Sequence, residues 1–145
     1  MIHATRLAMR IAACLGAMLV AQAGAAAPAA GKCANAQTQL EMNLCAAADA
    51  KAADAALNRQ WAVTAAIMRR QDKAGSTPKD GRPGYYAALL EAQRAWIRFR
   101  DLECRVAGFA MRGGSAEPMA ISGCLAEVTQ ARTKQLRDMA ANYRN

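Results

Sequence analysis

Residues 93–104, with the sequence QRAWIRFRDLEC, decide the fold. They place a tryptophan, three arginines, two acidic residues and a cysteine at helical spacing. Apolar side chains recur every three or four residues from 85 to 111, which predicts one central helix over that range. Two adjacent rows of this helix are apolar, so we expect it to pack against two other helices rather than one.

Polar side chains interrupt the apolar rows of the central helix. A buried charge is costly unless it is paired. We therefore expect Arg100 to pair with Asp54 or Glu103, and Glu103 to meet an arginine within the bundle. The aromatic side chains that we expect to point inward, as core residues rather than ligand-stacking ones, are Trp61, Trp96 and Phe99.

A first helix is predicted on the N-terminal side of this segment. Thr38 and Glu41 have the spacing of a capping box, which predicts a helix that starts at Thr38 and runs to about Gln71. Asp49 could cap a second segment, so the region is either one helix or a short helix followed by a long one. Residues 73–84, KAGSTPKDGRPG, are predicted to form a loop because they contain three glycines and two prolines.

The C-terminal part of the chain predicts a turn and a last helix. Residues 112–118, RGGSAEP, have the composition of a turn, and residues 119–143 follow the helical period. No stretch alternates with a period of two, so no strand is predicted. Short loops favour antiparallel neighbours. The predicted fold is therefore all-α, a small antiparallel bundle of three to four helices held by two disulfides.

The N-terminus has the features of a secretory signal peptide. Two arginines precede an apolar run at 11–23, and this run is too short to span a membrane, which takes about 20 residues. We expect residues 1–26 to be the signal peptide, with cleavage between Ala23 and Ala27. A lipoprotein anchor at Cys14 is not expected, because a lipoprotein box follows the apolar region, whereas this cysteine lies inside it.

Export would leave one basic domain. We expect residues 27–37 to form a tether and leader and residues 38–145 a single domain, which is periplasmic or secreted. The predicted signal peptide holds two of the 19 basic residues and none of the 11 acidic ones, so the mature charge is 17 − 11 = +6. Such a domain suits an anionic envelope polymer or an acidic protein partner. Nucleic acid is not an expected partner, because export separates the domain from the chromosome.

Four cysteines remain after export, and an even number in a small exported chain predicts two disulfides. Three pairings are open. Cys104 and Cys124 lie at similar height on either side of the predicted turn, which favours a bridge between them. The leader can fold back to bring Cys33 to Cys45. Alternatively, Cys33 or Cys45 would tie the first helix to the central one.

The composition argues against several kinds of active site. The only histidine, His3, lies in the predicted signal peptide, which excludes a histidine base, a nucleophile–histidine pair and a histidine zinc ligand in the domain. Cysteines that are paired supply no thiol nucleophile. Asp54 and Asn58, one helical turn apart, are too few oxygen ligands to predict a calcium site. We expect neither an enzyme nor a bound cofactor or metal.

A basic ridge at helical spacing is formed by Arg94, Arg98, Arg105 and Arg112. Such a ridge is most often a solvated surface, on which Asp101 would pair with Arg98 or Arg105. Given the net charge, it is also the candidate partner-binding surface.

Four segments of the chain resemble the LprI-type lysozyme inhibitor domain, found in small exported bacterial proteins. The segments are 33–45, which includes Thr38-Gln39 and Glu41-Met42-Asn43; Ala53-Asp54 with Leu57-Asn58; Gln93, Trp96, Arg100-Asp101 and Cys104; and 113–125, followed by Thr129, Arg132 and Leu136. They occur in the family's order and span nearly the whole mature chain. The matched positions that look structural, apart from the cysteines Cys33, Cys45, Cys104 and Cys124, are Trp96, Arg100, Asp101, Asp54 and Asn58.

The resemblance implies a helical, disulfide-containing envelope domain that binds another protein. The family's named member inhibits lysozyme, so the implied function is inhibition of lysozyme or another glycan hydrolase through protein–protein contact. The Gly-rich loops at 79–84 and 112–118 are candidates to insert into the carboxylate-lined cleft of such an enzyme. The alternative is a non-inhibitory periplasmic module that binds anionic envelope components or another protein.

Overall fold

A computed structural model describes residues 33–75 and 79–144. Within them, the α-helices are α1 (Gln39–Lys73), α2 (Tyr85–Gly108) and α3 (Glu117–Asn142), and a 3-10 turn at Phe109–Met111 continues α2. These residues contain no strand, so the predicted all-α bundle is confirmed. The predicted signal peptide lies outside the described residues.

α1 is one unbroken helix of 35 residues, so the alternative of a short helix followed by a long one is wrong. It begins at the predicted capping box. Thr38 Oγ1 accepts a hydrogen bond from the Glu41 amide at 3.2 Å, and the Glu41 carboxylate accepts one from the Thr38 amide at 2.9 Å. At the other end, Gly75 follows the C-cap with a φ of 71°, a left-handed conformation that glycine adopts without strain.

The turn between α2 and α3 is shorter than predicted. α2 is followed at once by the 3-10 turn, and α3 begins at Glu117 rather than at residue 119. Pro118 lies in the first turn of α3, where its missing N–H would have had no helical partner. The Glu117 carboxylate accepts a hydrogen bond from the Gly113 amide at 2.8 Å, which fixes the start of the helix.

α1 and α3 run parallel, with α2 antiparallel to both. Three of the side-chain hydrogen bonds that connect α1 to α3 and its flanking residues join positions 72 residues apart. They are Asn43 Nδ2 to the Ser115 carbonyl, Thr64 Oγ1 to the Leu136 carbonyl, and Gln71 Nε2 to the Tyr143 carbonyl. The constant offset shows that the two helices stay side by side along their length.

The core lies mainly between α1 and α3. Its centre consists of Leu57, Met68, Leu89 and Leu136. Trp61 and Trp96 are partly buried and pack against this centre, as predicted.

Both predicted disulfides are confirmed. Cys104, which is 0% exposed, bridges to Cys124 with a Cα separation of 5.3 Å and clamps α2 onto α3. Cys33 bridges to Cys45 with a Cα separation of 5.7 Å and ties the leader to α1. Each bridge lies within the usual range of Cα separations.

α2 is buried along one side only. Gln93 and Cys104 are buried, whereas Phe99 is 55% exposed and Val106 is 61% exposed. The prediction that Phe99 points inward is wrong. So is the buried role of Glu103, which is exposed and forms no ion pair with any described residue. The physical reason is that α1 and α3 pack directly on each other, so α2 meets them along a single side.

Candidate functional site

Arg100 is the centre of a polar network that joins all three helices. Its side chain is only 15% exposed. Nη1 donates to Asp54 Oδ1 at 2.8 Å and to Thr129 Oγ1 at 3.4 Å, while Nη2 lies 2.9 Å from Asp101 Oδ1. The predicted pair of Arg100 with Asp54 is confirmed. Asp101 belongs to this network, so its predicted pairing with the arginine ridge is wrong.

A second arginine, Arg132, lies beside the same tryptophan as Arg100. Arg132 Nε donates to Gln93 Oε1 at 3.0 Å. The Cζ atoms of Arg100 and Arg132 lie 5.3 and 5.8 Å from the Trp96 ring centroid, and such cation–π contacts are attractive. Arg132 has no acidic partner among the described residues, and its Nη2 is buried without a hydrogen-bond partner there.

Burial lowers the pKa of the Arg132 guanidinium, which nevertheless remains protonated. Sequence reasoning missed this residue as a partner of Gln93. The signal was present, because Arg132 occupies an apolar row of the last helix between Val128 and Leu136, as Arg100 does in the central helix.

The residues of this network hold the helices together, and its exposed carboxylates, those of Asp54 and Asp101, are paired with Arg100. Asn58, one turn after Asp54, is exposed and joins none of the contacts around Arg100. Across 33–75 and 79–144, no group of three histidine, cysteine, aspartate or glutamate side chains is placed to hold a metal ion. A candidate functional surface must therefore be sought on the outside of the bundle.

The outward side of α2 and its 3-10 extension is apolar. Phe99, Leu102, Val106 and Phe109 follow one another at intervals of three and four residues, and they are 55%, 54%, 61% and 45% exposed. By helical period they lie opposite the buried row that contains Gln93. We call these four residues the outer face of α2. A contiguous exposed apolar surface of this kind is typical of an interaction site.

The predicted arginine ridge borders the outer face. Arg94, Arg98 and Arg105 are exposed, lie in the adjacent row of α2, and form no ion pair with a described residue. Arg112 stacks on the end of the outer face, with its Cζ 4.8 Å from the centroid of the Phe109 ring. The structure thus brings all four predicted arginines next to exposed apolar side chains, a feature that the sequence reading missed.

Two exposed leucines of α1 lie at the same end of the molecule. Leu40 is 67% exposed and Leu44 is 62% exposed. The neighbouring Asn43 donates to the Ser115 carbonyl in the turn after α2. Leu40 and Leu44 are therefore exposed close to the turn between α2 and α3.

The two Gly-rich loops are engaged in contacts within the chain. In the 79–84 loop, Arg82 forms an ion pair with Asp80. The Arg82 side chain, followed by the Arg82 amide, holds the pKa of the Asp80 carboxyl below its usual value. In the 112–118 turn, the Ser115 carbonyl accepts a hydrogen bond from α1. These loops therefore offer less unpaired charge than the ridge does.

Comparison with known proteins places this geometry in a family. Residues 29–136 match the family described as "Lysozyme inhibitor LprI". The chain belongs to the LprI family. An uncharacterised protein of Rhizobium meliloti (strain 1021) is 44% identical over 113 residues, which make up 78% of this chain and 81% of that protein. No solved structure matches the chain.

The LprI family and the two disulfides together indicate a protein that resides outside the cytoplasm. None of the helices described is both long enough and apolar enough to cross a membrane. The network around Arg100 and Trp96 connects the three helices of this chain. The outer face and the arginine ridge remain as the candidate functional surface.

Proposed function

We propose that this LprI-family protein is an exported binding protein that inhibits lysozyme or a related glycan hydrolase by protein–protein contact. The observation that supports this proposal is the combined surface of the outer face and the arginine ridge. Aromatic residues and arginine are enriched at protein interfaces and at their energetic hot spots. Phe99, Phe109 and the ridge supply both kinds of residue on one side of α2.

The same proposal assigns no reaction to the protein itself. Its arginines and acidic residues near Trp96 are paired or packed between helices, so they stabilise the bundle rather than face a substrate. Inhibition would then result from occupation of the enzyme's surface alone. The strength of inhibition should follow the binding affinity.

We further propose the chain organisation that export requires. Residues 1–26 would be the signal peptide, residues 27–37 the tether and leader, and residues 38–145 the functional domain in the periplasm or medium. Mass spectrometry of the exported protein would give the cleavage site. A mature N-terminus outside the interval from Ala23 to Ala27 would contradict this organisation.

The test of inhibition uses the purified, oxidised domain. The rate at which lysozyme clears a suspension of cell walls is measured at increasing domain concentration, with several lysozyme types. Inhibition at about micromolar protein is the expected result, since that concentration corresponds to a binding free energy of about −8 kcal/mol. No inhibition of any lysozyme type at that concentration would refute the proposed function.

The unpaired arginines also support a second candidate, a non-inhibitory module that binds anionic envelope components. Binding of this kind should weaken as the salt concentration rises, because salt screens exposed charges. Pull-down on peptidoglycan and on acidic lipid, at low and at physiological salt, would measure it. Binding that is absent, or that does not respond to salt, would argue against this candidate.

A further inference from the structure

We infer that the outer face of α2 enters the substrate cleft of the inhibited hydrolase, with the arginine ridge against carboxylates of that cleft. This inference rests on the proposed function, because it names the surface and the partner chemistry through which inhibition would occur. The element that enters the cleft is then the side of a helix, whereas the sequence had suggested the Gly-rich loops at 79–84 and 112–118.

The outer face is a convex ridge. No other helix in residues 33–75 and 79–144 covers it, and from Phe99 to Phe109 it extends for about 15 Å at the rise of a helix. An α-helix with its side chains is about 10–12 Å across. The substrate sites of enzymes are concave clefts with apolar walls and a few polar groups. A helical ridge with an apolar crest is complementary to such a cleft in shape and in polarity.

The charge beside the ridge indicates which clefts it fits. Arg94, Arg98 and Arg105 have no acidic partner among the described residues, so their guanidiniums are available to a partner. Glycan hydrolases carry two carboxylates at the bond that they cleave, and arginine binds carboxylates through two parallel hydrogen bonds. Because the mature charge of +6 repels a basic enzyme and slows encounter, we expect the best partner to be a hydrolase of acidic net charge.

An anionic membrane is the competing occupant of the same surface. A helix with an apolar side and a basic border can lie in a membrane interface. Here, however, only one border of the outer face is basic. Glu103, one turn from both Phe99 and Val106, forms the other border and is exposed. This carboxylate would be repelled by anionic headgroups, which favours a protein partner with charges of both signs.

The test compares two pairs of exposed substitutions. Leu102→Asp with Arg105→Glu alters the outer face and its ridge. Val63→Asp with Arg59→Glu makes the same change in charge at a second exposed apolar and basic surface, between α1 and α3, where Val63 is 49% exposed. Thermal melting followed by circular dichroism checks that both variants fold like the wild type.

We expect the outer-face variant to need at least about 10-fold more protein for half inhibition, as the loss of an interface hot spot would cause. The control should stay within about 2-fold of the wild type. An oligomer of N-acetylglucosamine, which occupies the cleft, should raise the half-inhibition concentration of the wild type by a factor of one plus the ratio of its concentration to its dissociation constant.

Three results would contradict these expectations in different ways. If the wild type inhibits and the outer-face variant inhibits equally well, the inference is wrong while the proposed function stands. Inhibition that is unaffected by the oligomer would likewise overturn binding in the cleft. The third result is a wild type that inhibits no lysozyme but sediments with vesicles of anionic phospholipid, while the outer-face variant does not sediment with them. This result would refute both the function and the inference, and would establish the membrane as the occupant.

Discussion

Replacing Gly108 by alanine should destabilise the domain, whereas the same change at Gly123 should stabilise it. Gly108 is the last residue of α2, and Gly123 lies inside α3. A Cβ atom at residue 108 would lie 2.5 Å from Cγ1 and 2.9 Å from Cδ1 of Ile121. A Cβ atom at residue 123 would have no contact within 4 Å. The two substitutions therefore share their chemistry and differ in packing.

The magnitudes follow from two opposing effects. Alanine is about 1 kcal/mol more favourable than glycine in a helix interior, so Gly123→Ala should raise the free energy of unfolding by about that amount. At Gly108 the gain is smaller, because the residue ends its helix. Overpacking typically costs about 1–3 kcal/mol, so the net effect there is a loss of about 1–2 kcal/mol. The two variants should thus differ by roughly 10 °C in melting temperature.

Urea unfolding of the oxidised proteins, followed by circular dichroism, measures the difference. The double variant Gly108→Ala with Ile121→Ala tests the contact itself, since shortening Ile121 gives the new methyl group room. The double variant should lose less stability than the sum of its single variants. If Gly108→Ala stabilised the domain as Gly123→Ala does, or if the two losses simply added, the close approach of α2 to α3 would be refuted.

Three further predictions concern the Cys104–Cys124 bridge, the ion pair of Arg100 with Asp54, and the N-cap of α1. Cys104→Ser with Cys124→Ser should lower the free energy of unfolding by about 3 kcal/mol, because the bridge closes a 20-residue loop; urea unfolding measures the loss. Asp54→Asn removes one carboxylate from Arg100 and should lower the free energy of unfolding by about 1 kcal/mol. The loss should be smaller in 1 M salt, which screens the ion pair. The amides of residues 38 and 37 hold the pKa of the Glu41 carboxyl below its usual value. The stability it contributes is therefore present above the unfolded pKa and is lost as the pH falls through the folded pKa, so Glu41→Gln should flatten unfolding profiles between about pH 5 and pH 3.

The local features of the fold could be predicted from the sequence. The capping box at Thr38 and Glu41 depends on residues three apart, and both of its hydrogen bonds are present. The Cys104–Cys124 bridge could be predicted because the two cysteines lie at similar height on either side of a turn. The helices, the start of α1 and the disulfides could therefore be predicted, because they depend on residues that lie close together in the sequence.

The side of α2 that is buried could not be predicted in the same way. Helical periodicity identifies apolar rows but not the helix that covers each row. α1 and α3 pair directly over a separation of 72 residues, which leaves the outer face of α2 without a covering helix among the described residues. The sequence therefore predicted the exposure of the arginine ridge, because charged side chains favour solvent, but it did not predict the apolar surface next to the ridge.

The parallel pairing of α1 and α3 has a consequence for the folding kinetics. Contacts between residues far apart in sequence form slowly, because the intervening chain must be ordered first. The bridge across the α2–α3 turn spans only 20 residues and can form early. α1, in contrast, has no main partner until α3 has been synthesised. Its apolar row is therefore exposed throughout synthesis, which makes this first helix the natural binding segment for a holding chaperone.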